Sequence, residues 1–395
     1  MDAQKRVLKT VNYEEPDKVP AFETTITNNA LRKHYGMPTE SRLGDLMKAV
    51  AKMGEKGEKL LRKSYTNKNL VKQVMRDLYE FYYRAKQDLV LSMASLFTKK
   101  AIEGGSKFID EYGRIFQYET YTDADGIQTT ISGYLGGIFK TFEDYEQWEQ
   151  PDPYWEGRII NFEAGREVQE EMEHKVFSIP STAALMEVTW QSFGLENFSR
   201  ILAKTKNAQK VFDDRGKFTL EIVKQLAEKD AKIVLLWDDY GYKNGLFMSP
   251  RNYRKYVFPW LKQICKAAHK HDCKILLHSD GDLMEILDDI INCGVDILNP
   301  LEPTTANPDY NIFKLNKKYE KELVFSGNIS PTLLATGSIS EIEDYAKRLI
   351  QELAPGGGYI FSSGHSINPA IPPEKYELMQ NIKEKYGVYP IQKIN

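Results

Sequence analysis

The chain has 395 residues, 42% of them hydrophobic, which is enough to bury a large core as two or three ordinary domains or as one barrel with insertions. Its 53 basic and 56 acidic side chains nearly balance at a net charge of −3, and no sustained basic block is present, so a nucleic-acid partner is not expected. No apolar run approaches the roughly 20 residues that span a bilayer, and the opening MDAQKRVLKT has no apolar signal core, so a cytoplasmic protein without a membrane partner is expected. Cys265, Cys273 and Cys293 form no CxxC pair, which suits buried thiols in a reducing compartment.

In chain order, Lys18 to Phe22 is the first strand candidate and runs into the polar stretch that begins at Glu23. Residues 41–86 read as charged helices, and Asp88 to Met93 as a second strand. Between about residues 100 and 160, alternating apolar, aromatic and polar residues around glycines predict a β-hairpin excursion inserted within the fold. Helical periodicity resumes at 161–173, followed by a third strand from Val176 to Ile179 that ends at Pro180. Regular alternation then gives strands at Lys232–Trp237, Lys274–Leu277, Val295–Leu298, Leu323–Phe325 and Tyr359–Phe361, with a closing helix near Pro372-Pro373.

Eight strands, each followed by helix, predict one (β/α)8 TIM barrel over residues 1–395, with 100–160 as an insertion. A doubly wound sheet is the alternative, but no Gly-rich fingerprint follows the first strand. Active sites of such barrels lie at the C-terminal strand ends, so the polar groups there are the candidates. The stretch KILLHSDGD is the richest, because His278 and Asp280 stand at i and i+2 and share a face. With His365 after the last strand they could hold zinc, two imidazoles and a carboxylate making an open catalytic site; hydrogen bonding at a barrel mouth is the plainer alternative for His278 and His365.

Asp238, Asp239 and Glu302 are the candidate catalytic carboxylates, and the Asp238-Asp239 pair could serve as a base, a partner orienting a histidine ligand, a substrate contact or a loop turn. Glu23, Trp237, Tyr240, Tyr242 and Asn328 are the candidate substrate contacts, Asn328 being equally readable as a turn residue. The run Gly356–Gly358 precedes the last strand, at the opposite mouth, and reads as a turn. High aromatic content allows an apolar or aromatic substrate.

The segments YEEPDKVP, WDDYGYKNGLFMSPRNYRKYVFPWLKQI, HSDGDLMEILDDIINCGVDILNPLEP, FSGNISPTLLATGS and APGGGYIFSSGHSINPAIPPEKY together resemble the uroporphyrinogen decarboxylase superfamily, which includes cobalamin-dependent methyltransferases. The tetrapyrrole decarboxylases of that group carry an RQAGR-type segment after strand one; here the region reads FETTITNN with only Arg32 nearby, so porphyrinogen decarboxylation is not expected. The thiol-directed methyltransferases resemble HxC followed by a GC pair, with His and two Cys on zinc. Here Asp280 stands in place of the first Cys and His365 in place of the second.

Harder ligands imply a stronger electrophile, suited to polarising an ether oxygen. The resemblance therefore implies the methyltransferase I component of a corrinoid-dependent O-demethylase, with Zn2+ on His278, Asp280 and His365 and Glu302 as a further candidate. It would take a small-molecule methyl donor, a methoxylated aromatic, and pass the methyl to cobalamin carried by a partner corrinoid-binding protein, since the chain has no DxHxxG-type cobalamin signature of its own. Methyl transfer from a methylcorrinoid to a thiol or tetrahydrofolate, a lyase acting on a smaller acid, and a pure binding module are the competing expectations.

Overall fold

Seven parallel strands follow one another around the sheet in chain order: Leu89–Met93, Phe177–Ala183, Ile233–Trp237, Lys274–His278, Ile297–Asn299, Val324–Ile329 and Tyr359–Ser363. The computed structural model describes residues 1–39, 49–50, 52–123 and 125–392. The eighth position is held by Pro20–Phe22, a bridge rather than a full strand. On one side Phe22 N donates to Phe361 O (3.0 Å) and Phe361 N to Pro20 O (2.9 Å), and on the other Asp88 N donates to Ala21 O (2.9 Å). Proline has no N–H for a ladder, which keeps this element short. The result is a (β/α)8 barrel closed at both sheet edges by one short segment.

Alternation along each strand sorts the core into two layers. Leu89, Phe177, Ile179, Ile233, Leu235, Leu276, Ile297, Val324 and Ile360 fill the barrel interior, while residues such as Val234, Leu236, Ile275, Leu277 and Leu298 face the surrounding helices. The helix Ala3–Val11 plugs the floor, burying Ala3, Val7 and Val11 against the interior set. Its Arg6 joins the plug to the closure: Arg6 donates to Asp88 (2.6 Å) and Asp17 (2.6 and 2.7 Å), and Asp88 also accepts from Ala21 N (2.8 Å).

Several boundaries differ from the sequence reading. The Phe177 strand continues through Pro180 to Ala183, and the Val324 strand carries Ser326, Gly327 and Asn328 inside it, because neighbouring strands pair with them. The helix expected after KILLHSDGD is shorter, Leu287–Cys293. Of the helical stretch expected over 41–86, residues 41–48 and 51 lie outside the described residues, and helices Glu55–Thr66 and Lys68–Arg84 occupy the remainder. The excursion is a four-stranded antiparallel sheet, Thr98–Ile102, Lys107–Asp110, Arg114–Thr122 and Gln128–Gly137.

Gly357 (φ +81°) lies in a turn pressed on the floor helix's exit, where a Cβ would come within 2.8 Å of Glu14 O. All three cysteines are free and buried. Among the described residues no helix is long and apolar enough to cross a membrane.

Candidate metal centre and adjoining cavity

Trp237, His278 and Asn299 are register partners at the C-terminal ends of three adjacent strands. They continue the inward-facing rows that begin with Leu235, Leu276 and Ile297, so alternation turns all three into the barrel mouth. Asn299 Nδ2 donates to Ser326 O (3.3 Å) and Oγ (3.0 Å), which leaves its Oδ1 facing the imidazole. Oδ1 therefore accepts from His278 Nδ1 (2.7 Å), and Nε2 is the ring nitrogen free to bind an ion. The Trp237 indole stands edge to face on that imidazole, with ring centroids 4.7 Å apart.

The loops beyond these strands meet directly. Asp280 N donates to Asp239 Oδ1 (2.9 Å), and Gly281 (φ +92°) approaches Gly241 so closely that a Cβ would lie 2.3 Å from its carbonyl carbon. Asp239, His278 and Asp280 consequently bring one ligand atom each within 4.8 Å of one another. Asp280 Oδ1 is buried without a hydrogen-bond partner, an orphan acceptor of the kind a cation would satisfy. Burial, then the charges of Glu187 and Asp280, push the Asp239 carboxyl well above its ordinary value. One imidazole and two carboxylates, with an unsatisfied oxygen among them, fit a divalent ion such as zinc.

His365 is outside this group, in contrast to the sequence expectation. It arrives across the mouth and lies 3.3 Å from Asp280 Oδ2 with its side chain half exposed. That hydrogen bond outweighs burial and, with the charges of Asp280 and Glu302, raises His365 above its ordinary value. Asp280 stays below the usual carboxylate range: burial opposes this, but the His365 hydrogen bond and the His278 charge prevail. Asp239 takes the third place because its strand is the register neighbour of His278, whereas Glu302 accepts from the Thr304 hydroxyl.

The remaining sequence candidates separate by layer. Asp238 is fully buried and its Oδ1 accepts from Met186 N (2.6 Å) and Glu187 N (2.9 Å), seating the start of helix Met186–Phe193; burial pushes its carboxyl up to about 7. Tyr240 is buried on the helical side against Tyr253 and Phe258, at 5.4 and 6.2 Å between centroids. Tyr242 is about half exposed on the ribbon Gly241–Tyr242/Gly245–Leu246, beside Phe247. Asn328 is buried, with Nδ2 donating to Leu301 O and Oδ1 accepting from Tyr345, each at 2.8 Å.

Glu23 is buried beneath the last strand, where its Oε1 accepts from Ser363 N (3.0 Å). The Ser363 hydroxyl contacts both Glu23 Oε2 and His365 O, yet it has one proton. Both contacts are satisfied when Glu23 is a neutral acid donating to Ser363, and burial, which pushes its carboxyl up to about 8, favours that form. Glu23 thus supports the turn that carries His365.

Sequence reasoning missed the cavity beside the centre. About 710 Å3 in volume, it lies between the excursion sheet, helix Lys68–Arg84 and the end of strand Leu89–Met93, with Phe116, Tyr118, Met93 and Trp237 in its wall. Arg114, Asp110 and Glu187 also line it. These come from segments far apart in the chain with no shared motif, and only the lone carboxylate in the apolar run MEVTW hinted at Glu187.

A family model described as Uroporphyrinogen decarboxylase (URO-D) matches residues 133–386. The uroporphyrinogen decarboxylase of Geobacter sulfurreducens is 25% identical over 155 residues, 39% of this chain and 42% of that protein. That of Trichlorobacter lovleyi is 24% identical over 251 residues, 61% and 69% of the two chains. The match thus spans less than half of the Geobacter relative. A methyltransferase from Methanosarcina mazei has the same fold, with a TM-score of 0.67 at 16% identity over 98% of this chain and 99% of that one. With its model matched across well over half of the residues, the chain belongs to the uroporphyrinogen decarboxylase family.

Proposed function

We propose that the protein moves a methyl group from the methyl ether of an aromatic compound to the cob(I)alamin of a separate corrinoid-binding protein, with zinc held by Asp239, His278 and Asp280. The observation that carries the reading is Trp237, which forms part of the apolar cavity wall and stands edge to face on His278. Trp237 is thereby shared between the cavity and the candidate ligand His278, which supports a substrate that reaches from one to the other. Zinc bound there would supply Lewis acidity toward the ether oxygen.

The chain's own residues do the rest. Asn299 fixes the imidazole tautomer, Asp280 is shared with His365, and His365 holds a proton at Nε2 against that carboxylate. The mostly apolar wall offers a ring a surface to pack against. His365 and Tyr242, both about half exposed, mark the face open to a corrinoid protein. Free buried thiols suit a cytoplasmic setting for this chemistry.

The names of the curated relatives favour a second reading, decarboxylation. It calls for cations to hold substrate carboxylates, and Arg32 is committed elsewhere, to Pro38 O (2.7 Å) and Asp77 (2.6 Å). The two readings part when the purified protein is given cob(I)alamin and a panel of methoxylated aromatics. Methylcobalamin formation supports methyl transfer; its absence across the panel, or release of carbon dioxide from acids without corrinoid, counts against it.

A further inference from the structure

Among the described residues, three that line the cavity carry charge: Arg114, Asp110 and Glu187. Arg114 is the one cation among them, and its own protein neutralises it. Its Nε donates to Asp110 Oδ2 (2.7 Å) and its Nη1 to Glu187 Oε1 (3.2 Å) and Gln191 Oε1 (2.8 Å), while the guanidinium lies 5.0 Å over the Phe116 ring. Asp110 is locked in turn, its Oδ1 accepting from Tyr112 N and Arg114 N at 2.9 Å each. The described wall therefore has two carboxylates against one guanidinium, a net charge of −1 on a surface that is otherwise uncharged and mostly apolar and aromatic.

Of the two carboxylates, Glu187 is the one with freedom to meet a ligand. Asp110 is 2% exposed and spends both oxygens on Arg114 and the backbone, whereas the Glu187 side chain is 17% exposed and meets Arg114 through Oε1. Oε2 is the oxygen available to a hydroxyl donor. Glu187 is held at this position because Asp238 accepts its backbone N–H (2.9 Å).

We propose that the cavity selects a methoxylated ring bearing a hydroxyl group over the same ring bearing a carboxylate, and that Glu187 is the residue that sets the choice. The inference rests on the reading of the site as one that binds methyl ethers. A phenol hydroxyl donates to Glu187 Oε2 with no charge brought into the pocket. A carboxylate meets the like charge of Glu187 in a partly dry site, and among the described residues of the wall no cation remains to offset it.

Calorimetric binding of 4-methoxyphenol and 4-methoxybenzoate to the purified protein tests this. The phenol is expected to bind at least about tenfold more tightly, the scale of one like-charge contact at reduced dielectric. In Glu187→Gln, whose amide oxygen still accepts from Arg114, the ratio is expected to shrink through a gain in benzoate affinity. Equal or tighter benzoate binding by the unaltered protein overturns the proposal, as does binding of neither compound. A ratio that Glu187→Gln leaves unchanged overturns the role of Glu187, and the wild-type ratio stands as a test even if that variant does not fold. Methyl transfer is measured separately: a binding preference without methylcobalamin formation removes the ether-cleavage reading and leaves the charge selection in place.

Discussion

His278 donates its Nδ1 proton to Asn299 Oδ1 at 2.7 Å, and this one hydrogen bond decides which imidazole nitrogen faces the Asp239 and Asp280 carboxylates. Replacing Asn299 by Ala removes the acceptor and frees the ring to rotate or change tautomer. Zinc affinity, measured by competition with a chelator, is expected to fall by about 10- to 100-fold, with the fold retained. An unchanged affinity would detach Asn299 from the centre.

Barrel closure rests on a buried ion pair. Arg6 and Asp88 are both nearly inaccessible, and Asp88 also receives Ala21 N from the bridging segment. Arg6→Met leaves that carboxylate buried without its partner, and denaturant unfolding should show a loss of about 3–5 kcal/mol. Replacing both residues by apolar ones should cost less than Arg6→Met alone, because the charge left without Arg6 is then only that of the partly exposed Asp17.

Glu23 gives the molecule a pH-dependent term whose sign is fixed. Its carboxyl is pushed by burial from about 4.5 up to about 8, so the folded state keeps a proton that the unfolded state releases. The contribution is fully present below about pH 4.5 and is lost as the pH rises through about 8. Glu23→Gln, which keeps an acceptor and a donor for Ser363, should flatten the stability profile between these values. A profile identical to wild type would mean that Glu23 is ionised in the folded protein.

The parts of this structure legible in the sequence are those governed by short-range periodicity. Strands such as Ile233–Trp237 and Lys274–His278 announce themselves as apolar runs ending in polar residues, and their order is sufficient for the barrel. The first strand was harder to read, since Pro20 reduces it to a bridge that hydrogen-bonds through Pro20 O, Ala21 and Phe22. His278 and Asp280 were legible for the same local reason. Asp239 replaces His365 beside them because cross-strand register, which pairs Trp237 with His278, is a tertiary property. Glu23 and Tyr240 stand just past strand ends as expected and Asn328 lies inside its strand, but each is buried against its own protein, and an apolar run does not reveal which way the polar side chains after it turn.

The most direct test of the account is the metal content of the purified protein and three variants, Asp239→Ala, His278→Ala and His365→Ala. About one equivalent of zinc per chain is expected in the unaltered protein, a loss of it in Asp239→Ala and His278→Ala, and its retention in His365→Ala. Absence of site-dependent zinc would contradict the metal centre itself. Loss in His365→Ala with retention in Asp239→Ala would return the third ligand to the far side of the barrel mouth.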